Sequence, residues 1–178
     1  RTENYQYDLG GNLTQHTDRR GKVTTFTYDR LDRNTLAGFG MQAGPTYEST
    51  INYTYDSASR VTQIADSVTG TISYGYDALD RITSEVTPQG AVSYTYDTAG
   101  HRTSLTVPGQ SVVNYTFDNA DRLTQITRGT QTVLFSYDNA DRRATLTLPN
   151  GVVVSYSYDN ASQLTGMTYT LGGNPLGN

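Results

Sequence analysis

Short runs along the chain alternate apolar and small polar residues with a period of two, the pattern of a strand that turns one face to a core and the other to solvent. In Val92-Ser93-Tyr94-Thr95-Tyr96 the apolar and aromatic side chains point one way and the hydroxyls the other, and Val154-Ser155-Tyr156-Ser157-Tyr158 repeats the plan. Turn residues (Gly, Pro, Asn, Asp) return about every 8–12 residues, and no stretch sustains a helical period with caps. The pattern predicts an all-β chain with little or no helix. A less regular run follows each acidic turn, with apolar residues three apart: Val61 and Ile64, Leu123 and Ile126, Leu164 and Met167. Either a β-bulge shifts the phase there or both faces are partly covered.

The runs belong to a tandem repeat. Aromatic-x-aromatic-Asp occurs eight times: Tyr5, Tyr7, Asp8; Phe26, Tyr28, Asp29; Tyr53, Tyr55, Asp56; Tyr74, Tyr76, Asp77; Tyr94, Tyr96, Asp97; Tyr115, Phe117, Asp118; Phe135, Tyr137, Asp138; Tyr156, Tyr158, Asp159. The aspartates are 21, 27, 21, 20, 21, 20 and 21 residues apart. Three small or polar residues follow each Asp, then usually an arginine (Arg33, Arg60, Arg81, Arg122, Arg142), an apolar residue and Thr. Asn12, His101 and Gln163 take the arginine slot elsewhere. A second turn signal, such as Pro88-Gln89-Gly90 or Pro149-Asn150-Gly151, closes most units. Each unit is thus two strands and two turns, and residues 1–178 read as one repeat array. One hairpin cannot bury its aromatic face alone, so neighbours are expected to pair side by side into a long, twisted and curved sheet. The 27-residue step carries an insertion at 36–50, whose glycines and Pro45 predict a loop displaying Phe39 and Met41. That loop is either a surface insertion tucked onto the sheet or a contact site.

Of 19 Tyr and Phe, 16 fill the two aromatic slots of the eight repeats. Rings at identical positions on successive hairpins stack into rows, a structural role; an aromatic face is also a platform for glycans. Each motif Asp opens a turn, where a carboxylate accepts N–H bonds from the residues that follow, and its Arg four residues on is placed to meet it across the turn. Paired acids near aromatics suit glycoside hydrolysis, but an active site is singular and these clusters are copied eight times. No nucleophile, metal-ligand or phosphate-loop motif accompanies them, so no catalytic, metal or cofactor residue is assigned. His16 and His101 read as surface or turn residues. Four Asn-x-Ser/Thr sequons occur, as expected of an Asn- and Thr-rich repeat.

Composition narrows the partners. With 13 basic and 17 acidic residues the net charge is −4, so the basic field on which nucleic-acid binding relies is missing. There is no Cys, hence no disulfide or thiolate site. No apolar run approaches the roughly 20 residues of a membrane helix. The opening RTENYQYD lacks the plan of a signal peptide, and together with the turn-like close LGGNPLGN it suggests a piece of a longer polypeptide.

YTYDSASRVTQI, YGYDALDRITSE, YTFDNADRLTQI and YSYDNASQLTGM closely resemble the YD repeat of the bacterial Rhs family, shared with insecticidal toxin-complex C components and teneurins. The resemblance covers nearly the whole chain. It implies β-hairpins that spiral into a hollow β-shell around a C-terminal polymorphic toxin, secreted or at the cell surface and commonly delivered by type VI secretion or a related machine. The implied partners are the rest of that shell and its toxin. No toxin or delivery domain and no DPxG-type cleavage motif is found, so the segment is expected to be non-catalytic wall. Open sheet edges are expected to favour self-association. The alternative role is adhesion, with a glycan or cell-surface receptor as ligand.

Overall fold

The computed structural model describes residues 2–41 and 46–177. Every regular element among them is a β-strand, in two compact units. The first, Arg1–Ala91, holds β1 (Asn4–Tyr7), β2 (Leu13–Thr17), β3 (Val23–Tyr28), β4 (Asn34–Phe39), β5 (Ser49–Tyr55), β6 (Val61–Asp66), β7 (Gly70–Tyr76) and β8 (Ile82–Thr87). The second, Val92–Asn178, holds β9 (Gly90–Tyr96), which begins at the boundary, β10 (Arg102–Thr106), β11 (Val113–Phe117), β12 (Leu123–Arg128), β13 (Gln131–Tyr137), β14 (Arg143–Thr147), β15 (Val152–Tyr158), β16 (Leu164–Leu171) and β17 (Asn174–Gly177). Within each unit every strand pairs antiparallel with its sequence neighbours, and tertiary contacts among the described residues run only between such neighbours. This is the one-dimensional contact plan of a repeat array.

Each motif hairpin carries a bulge. In the third repeat Tyr55 pairs with Val61, Thr54 with Gln63 and Tyr53 with Ile64, so Thr62 is the extra residue. The extra residue occupies the same place in all eight hairpins: Thr14, Thr35, Thr62, Thr83, Thr103, Thr124, Ala144 and Thr165. That one-residue shift puts Val61 and Ile64 on the face of Tyr53 and Tyr55, which settles why apolar residues fall three apart after the turn. The threonine hydroxyl has its own use: Oγ1 of Thr35, Thr62 and Thr124 donates to the carbonyls of Thr27, Thr54 and Thr116 across the hairpin.

One face of each sheet is therefore aromatic and aliphatic, the other mostly Thr, Ser and Gln. Only Ala37 and Val154 are buried hydrophobic residues among those described, each 5% exposed. Among the described residues the motif rings gain cover from guanidinium groups, as Tyr55 does from Arg33 and Tyr76 from Arg60.

The 36–50 segment differs from the expected loop. Leu36–Phe39 continue β4 and Ser49-Thr50 open β5, because Phe39 pairs with both Thr24 and Ser49 and the strand pairing extends through it. Phe39 is a half-buried strand residue, while Met41 stands exposed beyond the strand end; residues 42–45, Pro45 included, lie outside the described part. Tyr47 is the residue of this segment that packs: its hydroxyl meets Thr25 Oγ1 at 2.9 Å, and a Cβ on Gly38 would sit 2.4 Å from its ring. Gly38→Val is accordingly expected to displace Tyr47 and cost about 1–3 kcal/mol in urea unfolding. Added to Tyr47→Ala, the same change is expected to cost less than it does alone, and simple additivity would refute the contact.

Candidate functional site

The repeated chemistry sits at the motif turns. In the third repeat the N–H of Asp56 donates to the Arg60 carbonyl and the N–H of Ser59 to the Asp56 carbonyl, a tight turn closed within five residues. The residue three past the motif Asp has a left-handed backbone in all eight turns: Gly11, Asp32, Ser59, Asp80, Gly100, Asp121, Asp141 and Ser162, with φ between 57° and 96°. Gly, Asp and Ser tolerate that conformation through the absence of Cβ or a short polar side chain. This is why the three residues between Asp and Arg are so restricted. Asp56 Oδ1 accepts the N–H of Ala58 and of Arg60, both at 2.9 Å, and Oδ2 accepts Arg60 Nε at 2.7 Å. The turn 18–22 copies the plan without the aromatic motif, with Asp18 Oδ1 accepting the N–H of Arg20 and Lys22.

The arginine then reaches forward into the next repeat. Arg60 Nη1 donates to the Asp77 carbonyl at 2.9 Å and to Asp80 Oδ1 at 2.7 Å, and its guanidinium lies 4.8 Å from the Tyr76 ring centre. Tyr76 reaches back, its hydroxyl donating to the Val61 carbonyl at 2.8 Å. The same links recur: Arg33 pairs with Asp29, covers Tyr55 at 4.6 Å and donates to Ser59, and Arg142 pairs with Asp138, covers Tyr158 at 4.6 Å and donates to Ser162. Arg122 pairs with Asp118 and Asp141 and covers Tyr137 at 4.8 Å, while Arg81 holds Asp77 at 2.6 Å. Tyr28, Tyr55, Tyr137 and Tyr158 donate to the carbonyls of Leu13, Asn34, Leu123 and Arg143. The position three past the Asp receives the previous repeat's slot side chain at Ser59, Asp80, Asp141 and Ser162, where that side chain is an arginine, and at Asp32 and Asp121, where it is Asn12 and His101; Gly100, which follows Arg81, departs from the plan.

Three rungs are built differently. Asn12 spans Asp8 and Asp32 at 3.1 and 2.9 Å. Gln163 donates its backbone N–H to Asp159. His101 places Nδ1 2.9 Å from Asp97 and Nε2 3.6 Å from Asp121, and stacks on Phe117 at 4.4 Å with the rings 20° apart. The pair His101 and Phe117 thus stands where other rungs have Arg and Tyr. His16 lies in β2 and not in a turn, stacked on Tyr5 at 4.7 Å, because the strand pairing of β1 with β2 runs to Thr17.

The ladder fixes the electrostatics of the turns. The side chains of Arg33, Arg60, Arg81, Arg122 and Arg142 and of their aspartates are 22–29% exposed. Asp29 and Asp118 have carboxyls held below the ordinary range chiefly by the arginine side chain that donates to them, and Asp97 chiefly by His101. At Asp8, Asp56 and Asp138 the leading cause is the N–H of the residue four on. Asp77 is lowered as well, desolvation pulling upward and being outweighed by the N–H and side chain of Arg81. These groups are committed to one another. No helix among the described residues is long and apolar enough to cross a membrane.

Comparison with known proteins places this arrangement. The Teneurin YD-shell family matches residues 41–128 and, in an overlapping second match, 84–174, and the RHS Repeat family matches residues 5–35. The crystal structure of TcdB2-TccC3-TEV superposes with a TM-score of 0.68 at 13% identity, covering 96% of this chain and 10% of the other. The Photorhabdus luminescens Tc holotoxin pore superposes with a TM-score of 0.57 at 19% identity, covering 97% of this chain and 9% of the other. The likeness is one of fold, and this chain spans about a tenth of those structures' chains. A search of curated proteins finds no match. With the YD-shell matches together spanning 41–174 and the Rhs-type repeat ahead of them, the chain belongs to the teneurin YD-shell family.

Proposed function

We propose that the chain is non-catalytic wall: a segment of a secreted or cell-surface β-shell that encloses a toxin at the C-terminal side of the same polypeptide until an injection machine such as type VI secretion delivers it. The observation that carries this reading is the ladder, in which Arg33, Arg60, Arg122 and Arg142 each bond their own aspartate and the turn of the next repeat. Such a wall acts by confinement, through many equivalent contacts that keep hairpins in register. Its partners are the remaining shell repeats and the cargo.

The test uses the full-length polypeptide with Arg60→Leu and Arg122→Leu, which cut two rungs while leaving the aromatic rows intact. Protease cleavage of the C-terminal cargo is expected to accelerate in the variant while the cargo sequence is unchanged. Equal protection in both proteins would count against the wall. A second reading, adhesion to glycans, is favoured by the exposed rings Tyr5 and Tyr7, 46% and 61% exposed. It requires glycan-array binding that is lost in Tyr7→Ala, and absence of binding at millimolar sugar would remove it.

A further inference from the structure

Two arginines stand on the aromatic face and outside the ladder. Arg102 and Arg143 occupy the position after the arginine slot, where other repeats place Leu13, Asn34, Val61, Ile82, Leu123 and Leu164. Arg102 pairs across the hairpin with Tyr96, and Arg143 with Tyr137, so both stand on the aromatic face of the second unit. Each guanidinium lies between the first aromatic of its own repeat and that of the next: Arg102 at 5.5 Å from Tyr94 and 4.9 Å from Tyr115, Arg143 at 5.2 Å from Phe135 and 6.0 Å from Tyr156. Both residues are exposed, and neither has a carboxylate partner among the described residues.

The distribution of acid explains why no partner is near. The six acids of the second unit, Asp97, Asp118, Asp121, Asp138, Asp141 and Asp159, all sit in motif turns, and the structure engages Asp97, Asp118, Asp121, Asp138 and Asp141 with slot side chains. The aromatic face itself is left apolar and cationic. Arg102 Nη2 also donates to the Tyr115 hydroxyl at 3.3 Å, and a guanidinium held between rings presents its remaining N–H groups to a carboxylate. We propose that this face binds an acidic, otherwise apolar, extended polypeptide segment that crosses the strands.

The spacing specifies the segment. From β10 to β14 is four strand steps, about 19 Å at the usual interstrand distance. An extended peptide covers that in about six residues, an even number, so carboxylates at both ends point to the same side with two alternate residues between them. Those two face the row that holds Leu123 and the rings beside it, which suits apolar side chains. The fit is to Glu-x-apolar-x-apolar-x-Glu. The choice of a polypeptide over another polyanion rests on the reading of the chain as a wall around a cargo.

Fluorescence anisotropy on the whole chain tests this with a labelled peptide containing Glu-Ser-Leu-Ser-Leu-Ser-Glu, a twin with Lys for Glu, and a third peptide with the two Glu five residues apart. The Glu peptide is expected to bind roughly tenfold more tightly than its Lys twin, and Arg102→Leu with Arg143→Leu to remove that difference. Leucine already fills the equivalent position in other repeats, and unchanged unfolding by urea verifies that the variant is folded. Arg102→Lys with Arg143→Lys keeps charge without the planar fork and is expected to retain part of the preference. Equal binding of Glu and Lys peptides, an unchanged double variant, indifference to the spacing of the two Glu, or competition by polygalacturonate at equal carboxylate concentration would each overturn the proposal. None of these outcomes depends on cargo protection, so a failure here and a failure of the wall are separable.

Discussion

Tyr76→Ala is expected to destabilise the chain by about 3 kcal/mol, which for a chain of this length lowers the melting temperature by about 6–12 °C. The ring lies under the Arg60 guanidinium and its hydroxyl satisfies the Val61 carbonyl, so one truncation removes the contact from both directions. Tyr76→Phe keeps the ring and loses only the hydroxyl bond, and is expected to cost about 1 kcal/mol. Tyr7 supplies the control. It has the same place in the motif, but no preceding repeat among the described residues covers it and it is 61% exposed, so Tyr7→Ala is expected to cost under about 1 kcal/mol. Because tertiary contacts among the described residues join only neighbouring strands, hydrogen exchange in Tyr76→Ala is expected to quicken most in β6 and β7. Equal losses at Tyr7 and Tyr76 would show that the rings act through area alone and not through the ladder.

Acid is expected to unravel the turns together. Asp8, Asp18, Asp29, Asp56, Asp66, Asp77, Asp97, Asp118 and Asp138 all have folded-state pKa values below the ordinary 3.8. Lowered in the folded state, each group contributes stability that is present above 3.8 and is lost as pH falls through the folded value, because the unfolded chain takes up protons first. Each contribution is small at a solvent-accessible turn, but nine act in the same direction. Melting temperature is expected to be insensitive to these groups above about pH 5 and to fall steeply below about pH 4. Asp118→Asn is expected to be less stable than the parent protein at pH 6 and to converge on it near pH 2. A gap that persists undiminished at pH 2 would assign the effect of Asp118 to shape, not to charge.

Much of the fold is legible in the residue pattern because the motif is local. Two residues such as Asp56 and Arg60 are four apart, so their meeting needs only one turn, and alternation in Val92–Tyr96 names its own inner face. The ladder between repeats is less legible. Arg60 and Asp80 are 20 residues apart, and nothing in either repeat alone announces that the arginine leans forward while the tyrosine leans back. The left-handed residue had a visible signal, since Gly, Asp or Ser stands in that place in all eight turns. The bulge had one too, in the threonine that recurs two places past the arginine slot. Tyr47 over Gly38 had none, for it depends on how the segment after β4 folds back onto the sheet.

By itself, then, the sequence determined that the chain is a β-repeat array, where its turns fall, which face is aromatic and which family it belongs to. These follow from period, spacing and side-chain type, which act over a few residues. The tertiary structure decided the phase shift after each turn, the conversion of the 36–50 segment from loop to strand at both ends, the placing of His16 in a strand, and the isolation of Arg102 and Arg143 among rings. Those depend on which backbone lies beside which, and only strand pairing brings together groups some 20 residues apart.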